Sequence, residues 1–359
     1  MRLGPLDGVR VLEIAGSAPA AFCGTVLADL GADVVRVDRP SGRGAERVPQ
    51  DPLGRGRRSV ALDLKSADGV ETALSLAEHA DVLVEGFRPG VCERLGIGPD
   101  VCLGRNPGLI YARISGWGQE GPWAARAAHD VAVLAVAAGL DTDPEGRPLM
   151  PPGMYVSSFA GGAMAHVQGI LAALYERSRS GLGQVVDTAL VDGAALVSTL
   201  IALWRRVPGN VTVTDAPHYT VYECADGRHM AVAALEPHLY GQLLEELGLD
   251  GESVPDVGDA AAWPALRALF AERFLSRDAA SWAEAFARRE VCVVPVLTLE
   301  EAPAHPQLAG RGTFVEVAGH PQPGPVPRFS RSGRRAPAAA PGAGEHTEEV
   351  LKEWLDRVG

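Results

Sequence analysis

The apolar positions of the first 115 residues fall into short runs separated by helix-periodic stretches. "VRVLEI" (9–14), "DVVRVDRP" (33–40), "SVALDL" (59–64), "DVLVEGF" (81–87) and "LIYARIS" (109–115) read as strands. "AAFCGTVLADLGA" (20–32) and "DGVETALSLAEHA" (68–80) carry helical spacing. Strands alternating with helices predict an α/β fold, a parallel sheet covered by helices on both faces. The turn after the first strand, "AGSAPAAF", contains no GxGxxG, so the pattern does not point to a nicotinamide enzyme. Asp38 at the end of the second strand does not restore that reading.

The pattern then changes. "ISGWGQEGPWAARAAHD" (114–130) is rich in glycine and aromatics and has no period. Long irregular segments inside a compact domain tend to be functional. "MPPGMYVSSF" (151–159 with Met150) is apolar and aromatic enough to line an acyl pocket. It reads as an extended run that turns at Gly161-Gly162 into the helix "AMAHVQGILAALYERSRSG" (163–181). A strand and a long apolar helix follow over 183–204. From about 215 a smaller α+β unit begins. Asp226-Gly227 joins two strands as a hairpin, Pro237 opens a helix over 236–249, and 263–290 is helical. The segment 291–302 reads as a strand and turn. The Pro- and Gly-rich stretch 319–344 is expected to wander over the surface, and 345–359 to close as an amphipathic helix.

Composition narrows the function. Of 359 residues, 47% are hydrophobic and 22% charged, an ordinary soluble composition with length enough for two domains. A net charge of −12 disfavours nucleic acid as the main partner. No apolar run reaches the ~18 residues of a membrane span, and the N-terminus lacks the apolar core of a signal peptide, so a cytoplasmic location is expected. The five cysteines are scattered without a CxxC, which suggests reduced core thiols, and neither HExxH nor another metal-ligand pattern occurs. No metal or separate cofactor is expected.

Six ordered segments carry a resemblance over essentially the whole chain: "LADLGADVVRVDRP" (27–40), "VALDLKSADG" (60–69), "VLVEGFRPGVCERLGIG" (82–98), "ISGWGQEGPWAARAAHD" (114–130), "GILAALYERSRSGLGQVVD" (169–187) and "YECADGRHMAVAALEPHLY" (222–240). The chain resembles the class III CoA-transferase family, in its alpha-methylacyl-CoA racemase branch. The resemblance implies a Rossmann-like large domain built from residues 1–195 and 330–359, with a smaller domain at 215–325. Linkers would run over 196–214 and 326–329. It also implies an interlocked homodimer in which each active site uses both chains, and an acyl-CoA substrate with coenzyme A as part of it.

The residues allow a matching chemistry. Lys65 and Arg88 follow apolar strand ends, where an open parallel sheet places its ligands and where cations suit CoA phosphates. By resemblance, Arg39, Leu62, Lys65, Phe87 and Arg88 line the CoA. Imidazole takes and gives protons near neutrality, and of the nine histidines the resemblance, through "AHD" (128–130), makes His129 the leading acid–base residue. By resemblance, Glu236 of the partner chain reaches His129 and would orient its imidazole. Asp130 reads as holding local structure. The Gly161-Gly162 backbone is expected to help bind the thioester oxygen. At Ser158 the resemblance implies an aspartate, the second acid–base group of the racemases and the nucleophile of the transferases. A serine there weakens the transferase reading more than the racemase one, and Tyr155 or a water stands near as a substitute. The expected activity is racemisation or epimerisation of a 2-substituted acyl-CoA through an enolate. The alternatives are CoA transfer between carboxylic acids, another enolate reaction such as elimination, and non-catalytic acyl-CoA binding.

Overall fold

The computed structural model describes residues 4–40, 48–140, 147–149, 155–199, 203, 216–333 and 336–355. Most of the expected linker at 196–214 and the stretch 150–154 lie outside the described residues. The chain divides into two compact units. The first comprises Met1–Leu140, Pro148–Thr199 and Gln307–Gly359; the second comprises Asp141–Arg147 and Leu200–Pro306.

The first unit is built on strands β1 (Arg10–Ile14), β2 (Asp33–Asp38), β3 (Arg58–Ala61), β4 (Val82–Glu85), β5 (Ile110–Ser115) and β6 (Gln184–Ala189). All pair in parallel, in the order β3-β2-β1-β4-β5-β6. Successive side chains of a strand point to opposite faces, and both faces are apolar. Val11, Val34, Val82, Val84 and Ile110 enter one core, whereas Leu12, Ile14, Val35, Leu83 and Tyr111 enter the other. The expected parallel sheet with two covered faces is therefore present.

Helices α1 (Ala18–Asp29), α2 (Ala67–Glu78), α3 (Val91–Arg94), α4 (Pro99–Arg105), α5 (Asp130–Val136), α6 (Met164–Ser180) and α7 (Leu190–Val197) accompany this sheet. Ser66 caps α2 by accepting from the Gly69 N–H at 3.1 Å. Gly181, at φ 77°, ends α6 in the left-handed conformation that favours glycine.

The second unit holds an antiparallel sheet of β7 (Tyr219–Glu223), β8 (His229–Ala233) and β9 (Val293–Pro295). The first two strands form the hairpin expected from Asp226-Gly227. They pack with α8 (Pro237–Glu246), α9 (Trp263–Phe274) and α10 (Ala279–Phe286) around Tyr222, Phe270, Phe274, Trp282 and Phe286. The strand expected over 291–302 shrinks to three residues.

Two segments differ from the sequence expectation. The stretch read as surface coil from 319 onward begins inside a hairpin, β10 (Phe314–Val317) and β11 (His320–Pro323). Ala318 and Gly319 both have positive φ, 52° and 79°, as a tight two-residue turn requires. Prolines are tolerated because this two-stranded ribbon is all edge. The hairpin groups with the first unit rather than with the smaller domain drawn to 325. The buried Arg55 explains this: Nη1 donates to Gln322 Oε1 at 3.3 Å and to the Pro323 carbonyl at 2.5 Å, and Nη2 pairs with Asp29 at 2.6 Å. The chain closes in α11 (Thr347–Leu355), whose Trp354 donates to Asp33 Oδ2 at 3.1 Å.

The second difference is nearer the chemistry. Residues 156–163 are a π-helical turn that runs straight into α6, not an extended strand and turn. Such wide turns recur at functional sites. The cause is tertiary. A Cβ on Gly161 would lie 2.7 Å from the Gly193 backbone, and one on Gly193 2.5 Å from the Gly161 backbone. Two glycines thus let the turn and α7 meet backbone to backbone, which periodicity along one segment cannot reveal.

Candidate active site

The strand order reverses between β1 and β4, where β2 and β5 diverge to opposite sides. Ligands of open parallel sheets bind in the crevice at the carboxyl ends of such strands. A cavity of about 750 Å³ lies there. Its walls include Ser17 after β1, Gly86, Phe87 and Arg88 after β4, and Ser115 and Gly116 at the end of β5. His129, Asp130, Ser158 and Phe159 complete it from the far side.

Two local features bring His129 to the strand ends. Gly116 has no side chain where Ala128 packs: a Cβ there would overlap the Ala128 methyl group. The Trp117 indole donates to the Ala127 carbonyl at 3.1 Å. Trp117 meets Trp123 edge to face at 5.0 Å, and the Arg126 guanidinium lies 4.6 Å over the Trp123 ring. The irregular, aromatic stretch 114–130 is therefore a structured wall of the cavity. His129 is the residue before α5 and its imidazole makes no capping hydrogen bond.

Asp130 ties the two halves of the site together. Its buried Oδ1 accepts from Ser157 Oγ at 2.6 Å, from the Ser158 N–H at 2.7 Å and from the Ser157 N–H at 3.1 Å. The start of α5, which carries His129, is thereby fastened to the π-turn that carries Ser158. This agrees with the structural part expected of Asp130. Ser158 is 8% exposed, and among the described residues its hydroxyl makes no hydrogen bond. Phe159 packs on Phe22 of α1 with ring centroids 5.0 Å apart.

The expected site residues separate into four groups. His129, Ser158, Phe87 and Arg88 line the one cavity. Arg39, Leu62 and Lys65 follow β2 and β3 on the same carboxyl edge of the sheet, outside the cavity wall; Arg39 and Lys65 are exposed and Leu62 is buried. Gly161 and Gly162 are turned to α7 and Tyr155 is exposed, so none of these three lines the cavity. Glu236 belongs to the second unit, exposed at the residue before α8, with no side-chain capping bond.

Sequence reasoning missed Ser17, Ser115, Arg126 and Glu85. For Ser17 the available signal is the position of the turn "AGSAPAAF" directly after the first strand, where an open parallel sheet places its ligands. Arg126 brings a second guanidinium to the cavity. Glu85, the last residue of β4, is buried, and burial pushes its carboxyl up to about 7. Among the described residues no cluster of three or more His, Cys, Asp or Glu converges as a metal site, and no helix is long and apolar enough to cross a membrane. The free cysteines are four buried and one, Cys292, exposed.

Comparison with known proteins agrees with this architecture. The mouse alpha-methylacyl-CoA racemase is 43% identical over 97% of this chain and 93% of its own length. The human alpha-methylacyl-CoA racemase is 40% identical over the same shares. The crystal structure of a CAIB/BAIF family protein from Brucella suis superposes with a TM-score of 0.85 at 26% identity, covering 98% of this chain and 99% of that one. Residues 6–347 match CoA-transferase family III, and with the switch-point cavity and the whole-length likeness to two racemases, the chain belongs to that family.

Proposed function

We propose that the protein is an acyl-CoA racemase that inverts the carbon next to the thioester of a 2-methylacyl-CoA. The observation that carries this reading is the cavity of about 750 Å³ at the switch point, with a histidine on one wall and guanidinium groups on others, in a chain 43% identical to a racemase. Arg88 and Arg126 offer charge-assisted hydrogen bonds to CoA phosphates, and Arg39 and Lys65 extend the cationic edge. His129 takes the alpha-proton, the electron pair moves into the thioester carbonyl as an enolate, and a proton returns to the same carbon. Glu236 of a second copy orients the imidazole and stabilises its cation, so the active unit is a homodimer.

Incubation with a 2-methylacyl-CoA in deuterated water tests the function. Alpha-deuterium should enter without any acyl acceptor present. An enzyme that only moves CoA between carboxylates would leave the alpha-hydrogen in place, and that outcome would sink the racemase reading. CoA transfer is the weaker reading on structural grounds. The carboxylate in the cavity, Asp130, is committed through Oδ1 to Ser157 and Ser158, and the expected nucleophile position holds a hydroxyl.

The two-chain site has its own test. Inactive His129→Ala and Glu236→Ala chains are co-expressed and the mixed dimer is isolated. One of its two sites would be intact, so about half of the wild-type activity per dimer should return. No recovery in a mixed dimer would place both residues in one chain.

A further inference from the structure

The Gly86–Arg88 wall of the cavity is held from below by a buried acid. Glu85 ends β4, and its side chain turns back so that Oε2 accepts the Phe87 N–H at 2.8 Å. Phe87 and its two neighbours all face the cavity. Glu85 is 5% exposed, and among the described residues no cation pairs with it. Arg113 stands opposite Glu85 in the β4–β5 register, but its guanidinium turns to Glu93 at 3.4 Å.

Two of the groups that face Glu85, Cys92 and Tyr111, are neutral near pH 7. The Cys92 thiol of α3 lies beside it, and burial pushes that thiol far up. The Tyr111 hydroxyl of β5 is occupied, donating to the Ile97 carbonyl at 3.0 Å. Glu93 adds a like charge and Arg113 an opposite one, both smaller than the effect of burial. On β1, Glu13 sits opposite Val84, so alternation points it to the other face of the sheet, where it pairs with Arg57. Glu85 is thus a buried acid whose ionised form accepts from the Phe87 N–H and, more weakly, from the Cys92 thiol.

We propose that Glu85 is a positioning residue that sets the Gly86–Arg88 loop for acyl-CoA and does so only as the carboxylate. An ionised acceptor makes the shorter and stronger hydrogen bond. Protonation leaves a weaker acceptor and frees the loop. With the midpoint at about 7, the ionised fraction rises from roughly 0.1 at pH 6 to roughly 0.9 at pH 8. Apparent affinity scales with the competent fraction, so CoA binding should tighten up to ~10-fold over that interval. The inference rests on the acyl-CoA reading above, so its test includes a readout without ligand.

The experiment compares wild type with Glu85→Gln and Glu85→Asp. The first readout is hydrogen exchange of the Phe87 amide in the unliganded protein at matched pH. The second is the dissociation constant of CoA from pH 6 to 8. A phosphate of CoA titrates near 6, so the Gln variant, which carries no ionisable group, is the reference for that share. Wild type should gain Phe87 protection and affinity with pH relative to Glu85→Gln, and Glu85→Asp should keep the pH dependence with weaker protection. Identical pH profiles in wild type and Glu85→Gln would overturn the proposal. If Phe87 protection follows Glu85 but neither protein binds CoA, the acyl-CoA assignment fails and the control of the loop by Glu85 stands.

Discussion

His129→Ala should lower alpha-deuterium incorporation into a 2-methylacyl-CoA by ~100- to 10,000-fold, the usual contribution of a positioned acid–base group. The loss should appear in turnover and leave CoA affinity within a few-fold, because the cations of the cavity are untouched. The substitution is structurally mild. The His129 backbone, at φ −136° and ψ 159°, is extended and suits any residue, and the imidazole caps nothing. Asp130 continues to fasten α5 to the π-turn. The effect should depend on stereochemistry: only the enantiomer that presents its alpha-hydrogen to His129 loses exchange. Mass spectrometry on each pure enantiomer measures both rates. Undiminished exchange in the variant would remove His129 from the mechanism.

Ser158→Asp should raise the rate of inversion by at least ~10-fold. Removal from one face and return to the other needs a proton carrier on each side. A serine hydroxyl titrates far above neutrality and is a poor carrier. The unmodified protein should therefore exchange one enantiomer faster than the other, with retention outpacing inversion. Aspartate at 158 would enter a buried position whose N–H is held 2.7 Å from Asp130 Oδ1. Burial and the neighbouring carboxylate both push a new acid upward, toward the range in which it can accept and return a proton. Ser158→Asn, close in size but without an ionisable group, should show no gain. Equal exchange from both enantiomers by the unmodified protein would overturn the one-base reading.

Some of this chain's behaviour was legible in order along the sequence. The apolar runs over 9–14, 33–40, 81–87 and 109–115 announced strands, because a strand covered on both faces needs nearly every position apolar. Asp226-Gly227 announced its hairpin, since the turn is decided by the residues within it. Arg88 stands out by its charge after a strand-like run and His129 by residue type and resemblance, and both line one cavity.

What the tertiary structure decided are contacts between segments distant in sequence. Gly161 and Gly162 looked like a turn that receives a substrate oxygen. Their lack of side chains serves a close approach to Gly193 and Leu190, some thirty residues on. Arg55 draws the 314–323 hairpin, some 270 residues away, into the first unit. Asp130 joins His129 to Ser158 across 28 residues. Glu85 reads as an ordinary strand-end acid until the burial around it is known. Periodicity and turn chemistry are local properties and can be read from neighbours along the chain. Close approach, desolvation and shared hydrogen bonds depend on which segments pack together, and for this protein those three decide the shape of the site.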